Sequence, residues 1–207
     1  MKGVRLNSEV KFKPRPANML KRPGVRTAIL CAMKFIAAFL LCGGEIFGVC
    51  RPFGVAFVAA AGAGFSGFFA LLGAALGYTA FMGFFAGLRY SIATLLIFFI
   101  AFVVFDRPVA KKEFFVPIVA GICSFAMGLY LVSDMNESNW VYLFSETVLT
   151  AGCAYFFSLA LKGRNRGQGG PRDLRHSASL LILTATILIT LESVTLIANI
   201  SVGRLLA

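Results

Sequence analysis

The sequence predicts an all-α, polytopic membrane helix bundle of about seven transmembrane helices. Composition, one long apolar stretch and the placement of positive charge predict it. Hydrophobic residues make up 58% of the 207-residue chain and charged residues 14%, with mean hydropathy +0.83. Soluble domains average about 25% charged residues. Residues 52–105 contain a single charge, Arg89. As one helix that stretch would be roughly 80 Å long, against about 30 Å of hydrocarbon in a bilayer, so it must fold back, most economically as three spans. Lipid offers the backbone no hydrogen-bond partner, so the spans must be helices. Breakers stand at Gly62, Gly64, Ser66 and Gly67, and again at Gly83, Gly87 and Arg89.

A net charge of +11 would suggest a nucleic-acid partner in a soluble protein, but here Lys and Arg crowd into short connections. They read as topology determinants and as partners of anionic lipid headgroups, with no nucleic acid expected. Residues 1–26 form a basic cytoplasmic N-terminal segment, with eight Lys and Arg, Arg22 and Arg26 among them, against Glu9 alone. Pro14, Pro16 and Pro23 oppose a continuous helix there, and no cleavage site follows, so the segment is expected to stay attached.

Residues 27–207 form the multi-span domain. The first span, 27–49, carries Lys34 and Glu45. Eleven residues of helix put them roughly 16 Å apart along the axis, too far to pair directly. Lys34 is expected to snorkel toward the headgroups, and Glu45 to meet Arg51 at the far interface. Spans 52–65, 67–85 and 88–105 follow, with Gly73 and Gly77, Gly83 and Gly87, and Ala59, Ala63 and Gly67 in small-xxx-small spacing that lets helix backbones approach closely. These glycines follow no strand and lack a GK[ST] sequence, which excludes a phosphate-binding loop.

Arg107, Lys111 and Lys112 belong to a charged connection before the fifth span, 114–132. An acidic turn leads to the sixth, 140–161, whose Trp140 and Tyr142 suit an interface belt. A Gly-rich basic linker with Lys162, Arg164, Arg166, Arg172 and Arg175 precedes the seventh span, 179–200. His176, the single histidine, reads as a solvated residue of that linker. Cys31, Cys42, Cys50, Cys123 and Cys153 have no metal-ligand spacing and read as small buried hydrophobes. Glu146 and Glu192 lie inside spans, where a carboxylate is costly and usually faces the bundle interior. They are candidates either for a proton, ion or solute site or for an interhelical hydrogen bond. With Glu45 and Lys34 they complete the intramembrane polar candidates. No cofactor and no metal is expected.

Counting Lys and Arg by side sets the expected orientation. Seven spans with the N-terminus in the cytoplasm leave sixteen inside and three outside, at Arg51, Arg89 and Arg204. Dividing 52–105 into only two spans would move the eight positive charges at 107–112 and 162–175 outside and abolish the bias. The bias therefore selects three.

Three segments in order resemble a known family: Arg51-Pro52-Phe53-Gly54-Val55-Ala56-Phe57, Phe144-Ser145-Glu146-Thr147-Val148, and Asn199-Ile200-Ser201-Val202-Gly203-Arg204-Leu205-Leu206. Together with the Gly/Ala/Phe run behind the first, they are similar to the membrane-embedded N-terminal region of stage II sporulation protein E. The resemblance implies an anchor and septal localisation region in the cytoplasmic membrane of a sporulating Firmicute, with self-association or division-septum proteins as partners. In that family a PP2C-type, metal-dependent serine phosphatase follows the membrane region and controls forespore sigma-factor activation. Neither further helices nor the phosphatase is present before Ala207, so a fragment or an interrupted reading frame is expected, and no enzyme activity in this chain. Asp106, Asp134 and Asp173 stand apart, in connections between spans. The competing expectation is the substrate-binding membrane subunit of an energy-coupling-factor vitamin transporter, in which Glu146 and Glu192 would line a solute site.

Overall fold

The computed structural model describes residues 23–46, 50–62, 64–104, 113–131, 137–161, 171–193, 195–196 and 200–201, with side chains over 24–46, 50–62, 64–104, 113–129, 139–161 and 174–190. Among the described residues seven helices follow one another: α1 (Pro23–Leu41), α2 (Pro52–Ala61), α3 (Phe65–Met82), α4 (Phe84–Val104), α5 (Phe115–Leu131), α6 (Glu137–Leu161) and α7 (Pro171–Ser193). Two short strands, β1 (Thr195–Leu196) and β2 (Ile200–Ser201), pair antiparallel beyond α7. Apart from this short pair, the described residues form an α-helical bundle. Among the described residues, four stretches are long and apolar enough to cross a membrane: Gly24–Leu41, Phe65–Met82, Phe84–Val104 and Asn139–Leu161.

The distribution of residue sizes suits lipid. Large apolar side chains such as Met33, Leu76, Phe85, Phe99 and Val148 point outward, while alanine, glycine and hydroxyl residues fill much of the interior. In water so continuous an apolar exterior would drive association. In a bilayer helix association instead depends on close packing of small residues. α1 and α3 show this directly. Gly73 packs on the backbone of Phe35 and Gly77 on that of Phe39, so the two helices run parallel, and a Cβ at either glycine would strike a carbonyl oxygen of α1.

Helix α2 departs from the span expected over 52–65. Its ten residues make about 15 Å of helix, half the hydrocarbon thickness. It starts after Arg51 with proline at its first position, where the missing N–H costs nothing. It stops at Gly62, whose φ of 74° is a conformation that side chains resist. Its start lies beside Cys42 and Gly44 just past α1, and its end reaches Lys34 in the middle of α1. α2 therefore runs antiparallel to α1 and α3, in the interior of the bundle, with Pro52 through Ala59 buried. Helices α1, α3, α4, α5 and α6 all pack on it.

Other boundaries also move. α1 ends at Leu41, where Cys42, Gly43 and Gly44 turn the chain, eight residues before the expected end of the first span. Gly83 (φ 79°) alone divides α3 from α4, so Gly87 and Arg89 lie within α4 rather than in a turn. Gly87 is needed there for packing, because a Cβ would meet the Tyr78 carbonyl oxygen at 2.7 Å. Pro117 is accommodated in the first turn of α5. α7 begins at Pro171, inside the stretch read as linker, and ends at Ser193. His176 is consequently a helical residue, not a solvated loop residue: its Nδ1 lies 3.1 Å from the Leu159 carbonyl oxygen, one of the last-turn acceptors of α6 that have no partner within their own helix.

Candidate functional site

The two ends of α2 hold the polar chemistry of the bundle. At the N-terminal end the Tyr78 hydroxyl, contributed by α3 and fully buried, accepts the Val55 N–H at 3.0 Å and donates to the Arg51 carbonyl at 3.0 Å. One side chain thereby bridges the N–H and the carbonyl that open the helix, and ties the start of α2 to α3. Room for it comes from Gly54, where a Cβ would collide with Cys42 Sγ and with the Tyr78 hydroxyl. Tyr78 in turn stacks on Tyr90 of α4, ring centroids 4.8 Å apart.

Next to Tyr90 lies the ion pair that the sequence did not suggest. Arg89 Nη2 donates to Glu146 Oε2 at 2.5 Å, and the guanidinium also sits 5.2 Å from the Tyr90 ring centroid, within range of a cation–π interaction. The Glu146 side chain is only 5% exposed and that of Arg89 23%. Gly128 of α5 makes space for the pair, since a Cβ there would stand 3.0 Å from Arg89 Nη2. On α6 the buried positions Leu143, Glu146, Thr150, Ala154 and Phe157 recur at three- and four-residue spacing and form one face. That face lies along α2: Cys50, just before α2, is 4.0 Å from the Tyr142 carbonyl oxygen, and Phe57 meets Phe157 edge-on. α6 and α2 thus run in the same direction, with Glu146 alongside the N-terminal half of α2. Among the described residues, Glu146 Oε1 and the Thr150 hydroxyl are buried without hydrogen-bond partners.

At the C-terminal end, the Lys34 ammonium donates to the Ala61 carbonyl at 3.1 Å and to Ser66 Oγ at 3.0 Å. A cation on the last carbonyl of a helix opposes the negative end of its dipole. Lys34 is therefore turned into the bundle, joining α1, α2 and the start of α3, where the sequence suggested a side chain reaching only toward headgroups. Glu45 and Arg51 make the contact expected of them, Arg51 Nη2 to Glu45 Oε2 at 3.1 Å, at the partly exposed edge where α1 gives way to α2.

The remaining candidates divide by position. Arg26 lies exposed near the start of α1 and Arg175 exposed near the start of α7. Glu192 and Arg172 fall within α7, but their side chains are outside the described residues, as are Arg22, Arg107, Lys111, Lys112, Lys162, Arg164 and Arg166 altogether. Among the described residues no three His, Cys, Asp or Glu side chains stand together as a metal site would require. The five cysteines are free thiols, four of them buried and Cys153 partly so.

Comparison of the chain with known protein families, with curated proteins and with solved structures returns no match.

Proposed function

We propose that this chain is a noncatalytic membrane module, the anchoring and septal localisation region of a phosphatase of the stage II sporulation protein E kind. The observation that carries this reading is where the described intramembrane charges go. Lys34 holds the end of α2, and Arg89 and Glu146 hold each other. These groups stabilise a bundle; they do not converge on an open polar cavity. One of the three segments carrying the family resemblance, Arg51 to Phe57, supports the same reading, because it forms the start of α2, on which α1, α3, α4, α5 and α6 pack. A fluorescent fusion of residues 1–207 expressed in a sporulating bacterium is expected to concentrate at the polar division septum. Uniform labelling of the whole cell membrane would defeat the proposal.

The unpartnered Glu146 Oε1 and Thr150 hydroxyl favour one second reading, a solute site in a vitamin-transporter subunit. Thermal unfolding in detergent across a panel of vitamins separates the two. Stabilisation by one vitamin, lost in both Glu146→Gln and Glu146→Leu, would select the transporter.

The orientation follows from the charge bias. The parallel course of α1 and α3, with the short α2 returning between them, supports the same count of passes. The N-terminus and the basic stretch 162–175 are then cytoplasmic. In a cysteine-free background, a membrane-impermeant thiol reagent on intact cells should label Ser138→Cys and spare Gln168→Cys. The opposite pattern would invert the topology.

A further inference from the structure

Two polar atoms of α6 stand outside the internal pairing described above. Glu146 Oε1 and the Thr150 hydroxyl have no hydrogen-bond partner among the described residues, although Thr150 is wholly enclosed and the Glu146 side chain only 5% exposed. The two positions are one helical turn apart on one face. Side chains of a helix lean toward its N-terminus, so the Thr150 side chain is carried back toward the Glu146 carboxylate.

A threonine within a helix has a ready acceptor in the carbonyl four residues earlier. Thr79, Thr147, Thr184, Thr186 and Thr190 each donate to it, at 2.7–2.9 Å. Thr150 has the same kind of acceptor in the Glu146 carbonyl and does not take it. A fully buried hydroxyl that forgoes its own helix needs another partner, because leaving it unsatisfied is costly. The other carboxylate oxygen, Glu146 Oε2, is held by Arg89, and the Tyr90 hydroxyl faces the same carboxylate without bonding to Oε1. Guanidinium and carboxylate balance each other's charge, so a further ion is not called for. The species that fits is neutral, donates to one oxygen while accepting from another, and is small enough to be enclosed with both.

We propose that Glu146 and Thr150 bind one internal water molecule, which donates to Glu146 Oε1 and accepts from the Thr150 hydroxyl. Water held in this way bridges buried polar groups that have no other partner and belongs to the fold as a side chain does. It extends the contact between α4 and α6 from Arg89 through Glu146 to Thr150. The ion pair is thereby completed inside the bundle, with no need to reach the headgroup region.

The proposal does not rest on septal localisation. It takes up the two atoms that favour the solute reading, so it is tested with no vitamin present, and the failure of one reading leaves the result for the other standing. The full 207-residue chain, carbon-13-labelled at Glu, Thr and Ala, would be reconstituted into vesicles of phosphatidylcholine with phosphatidylglycerol, and magnetisation transfer from water followed by solid-state NMR. Transfer to Thr150 and to the Glu146 carboxyl carbon is expected well ahead of transfer to Ala154, which is wholly buried one turn further along the same face. Thr150→Val keeps the shape without the hydroxyl. It should abolish the transfer to Glu146 and lower the melting midpoint in detergent by about 3 °C, the loss of one buried hydrogen-bonded group in a chain of this size. Thr150→Ser, which keeps the hydroxyl, should retain the transfer. Transfer to Glu146 no faster than to Ala154, or unchanged in Thr150→Val, would overturn the proposal. So would a Thr150→Val chain that melts at or above the parent, the result for a hydroxyl buried with no partner at all.

Discussion

Replacing Arg89 by leucine is expected to destabilise the bundle by about 3–5 kcal/mol, the cost of leaving a buried charge without its partner. Glu146 is 5% exposed and is paired with the Arg89 guanidinium. Leucine at 89 forces the carboxyl either to stay charged in an apolar interior or to take up a proton. Glu146→Leu alone strands Arg89 less severely, because the guanidinium is 23% exposed and retains the Tyr90 ring. The double variant Arg89→Leu, Glu146→Leu should recover much of the loss, since a buried ion pair exchanged for well-packed apolar groups is often neutral in stability. Unfolding in detergent, followed by helix content, gives all three values and the coupling between them. If Arg89→Leu melts with the parent, the pair contributes nothing and the proposed internal use of these charges fails.

The second large effect is expected at Gly54. Leucine there should cost about 3 kcal/mol, the upper end of what overpacking does to a filled core. The Cβ position already overlaps Cys42 Sγ and lies 2.6 Å from the Tyr78 hydroxyl. The side chain would therefore push α2 off α1 and break the hydrogen bonds by which Tyr78 holds Val55 and Arg51. Gly152→Leu is the matching control, because a Cβ at 152 meets nothing within 4 Å. The readout is the fraction of monodisperse protein after extraction and its melting temperature. Equal behaviour of the two variants would mean that α2 is not held by this contact.

Much of the architecture was legible in the chain because a bilayer constrains it so strongly. Once residues 52–105 hold one charge, the backbone must be helical and must turn twice, and the turns fall at glycines, Gly62 and Gly83. Gly62 and Gly83 are the two described positions with positive φ, the conformation for which glycine alone carries no penalty. The Glu45 and Arg51 contact was readable from proximity in sequence, and the burial of Glu146 from the cost of a carboxylate in a span.

Partnership and depth were decided by tertiary structure. Arg89 stands 57 residues from Glu146, and nothing local marks the two as a pair. Only the packing of α4 and α6 around α2, with Gly128 leaving the gap, brings them together. Lys34 looked like a snorkelling residue because its own helix says nothing of a neighbour ending beside it. Residues 52–65 are apolar enough for a span, yet they form a ten-residue interior helix, because α2 ends on a lysine from α1 and starts on a tyrosine from α3. Composition determines that a segment leaves water. Where its unpaired backbone groups find partners depends on side chains from distant parts of the chain, and that is settled only when the helices pack.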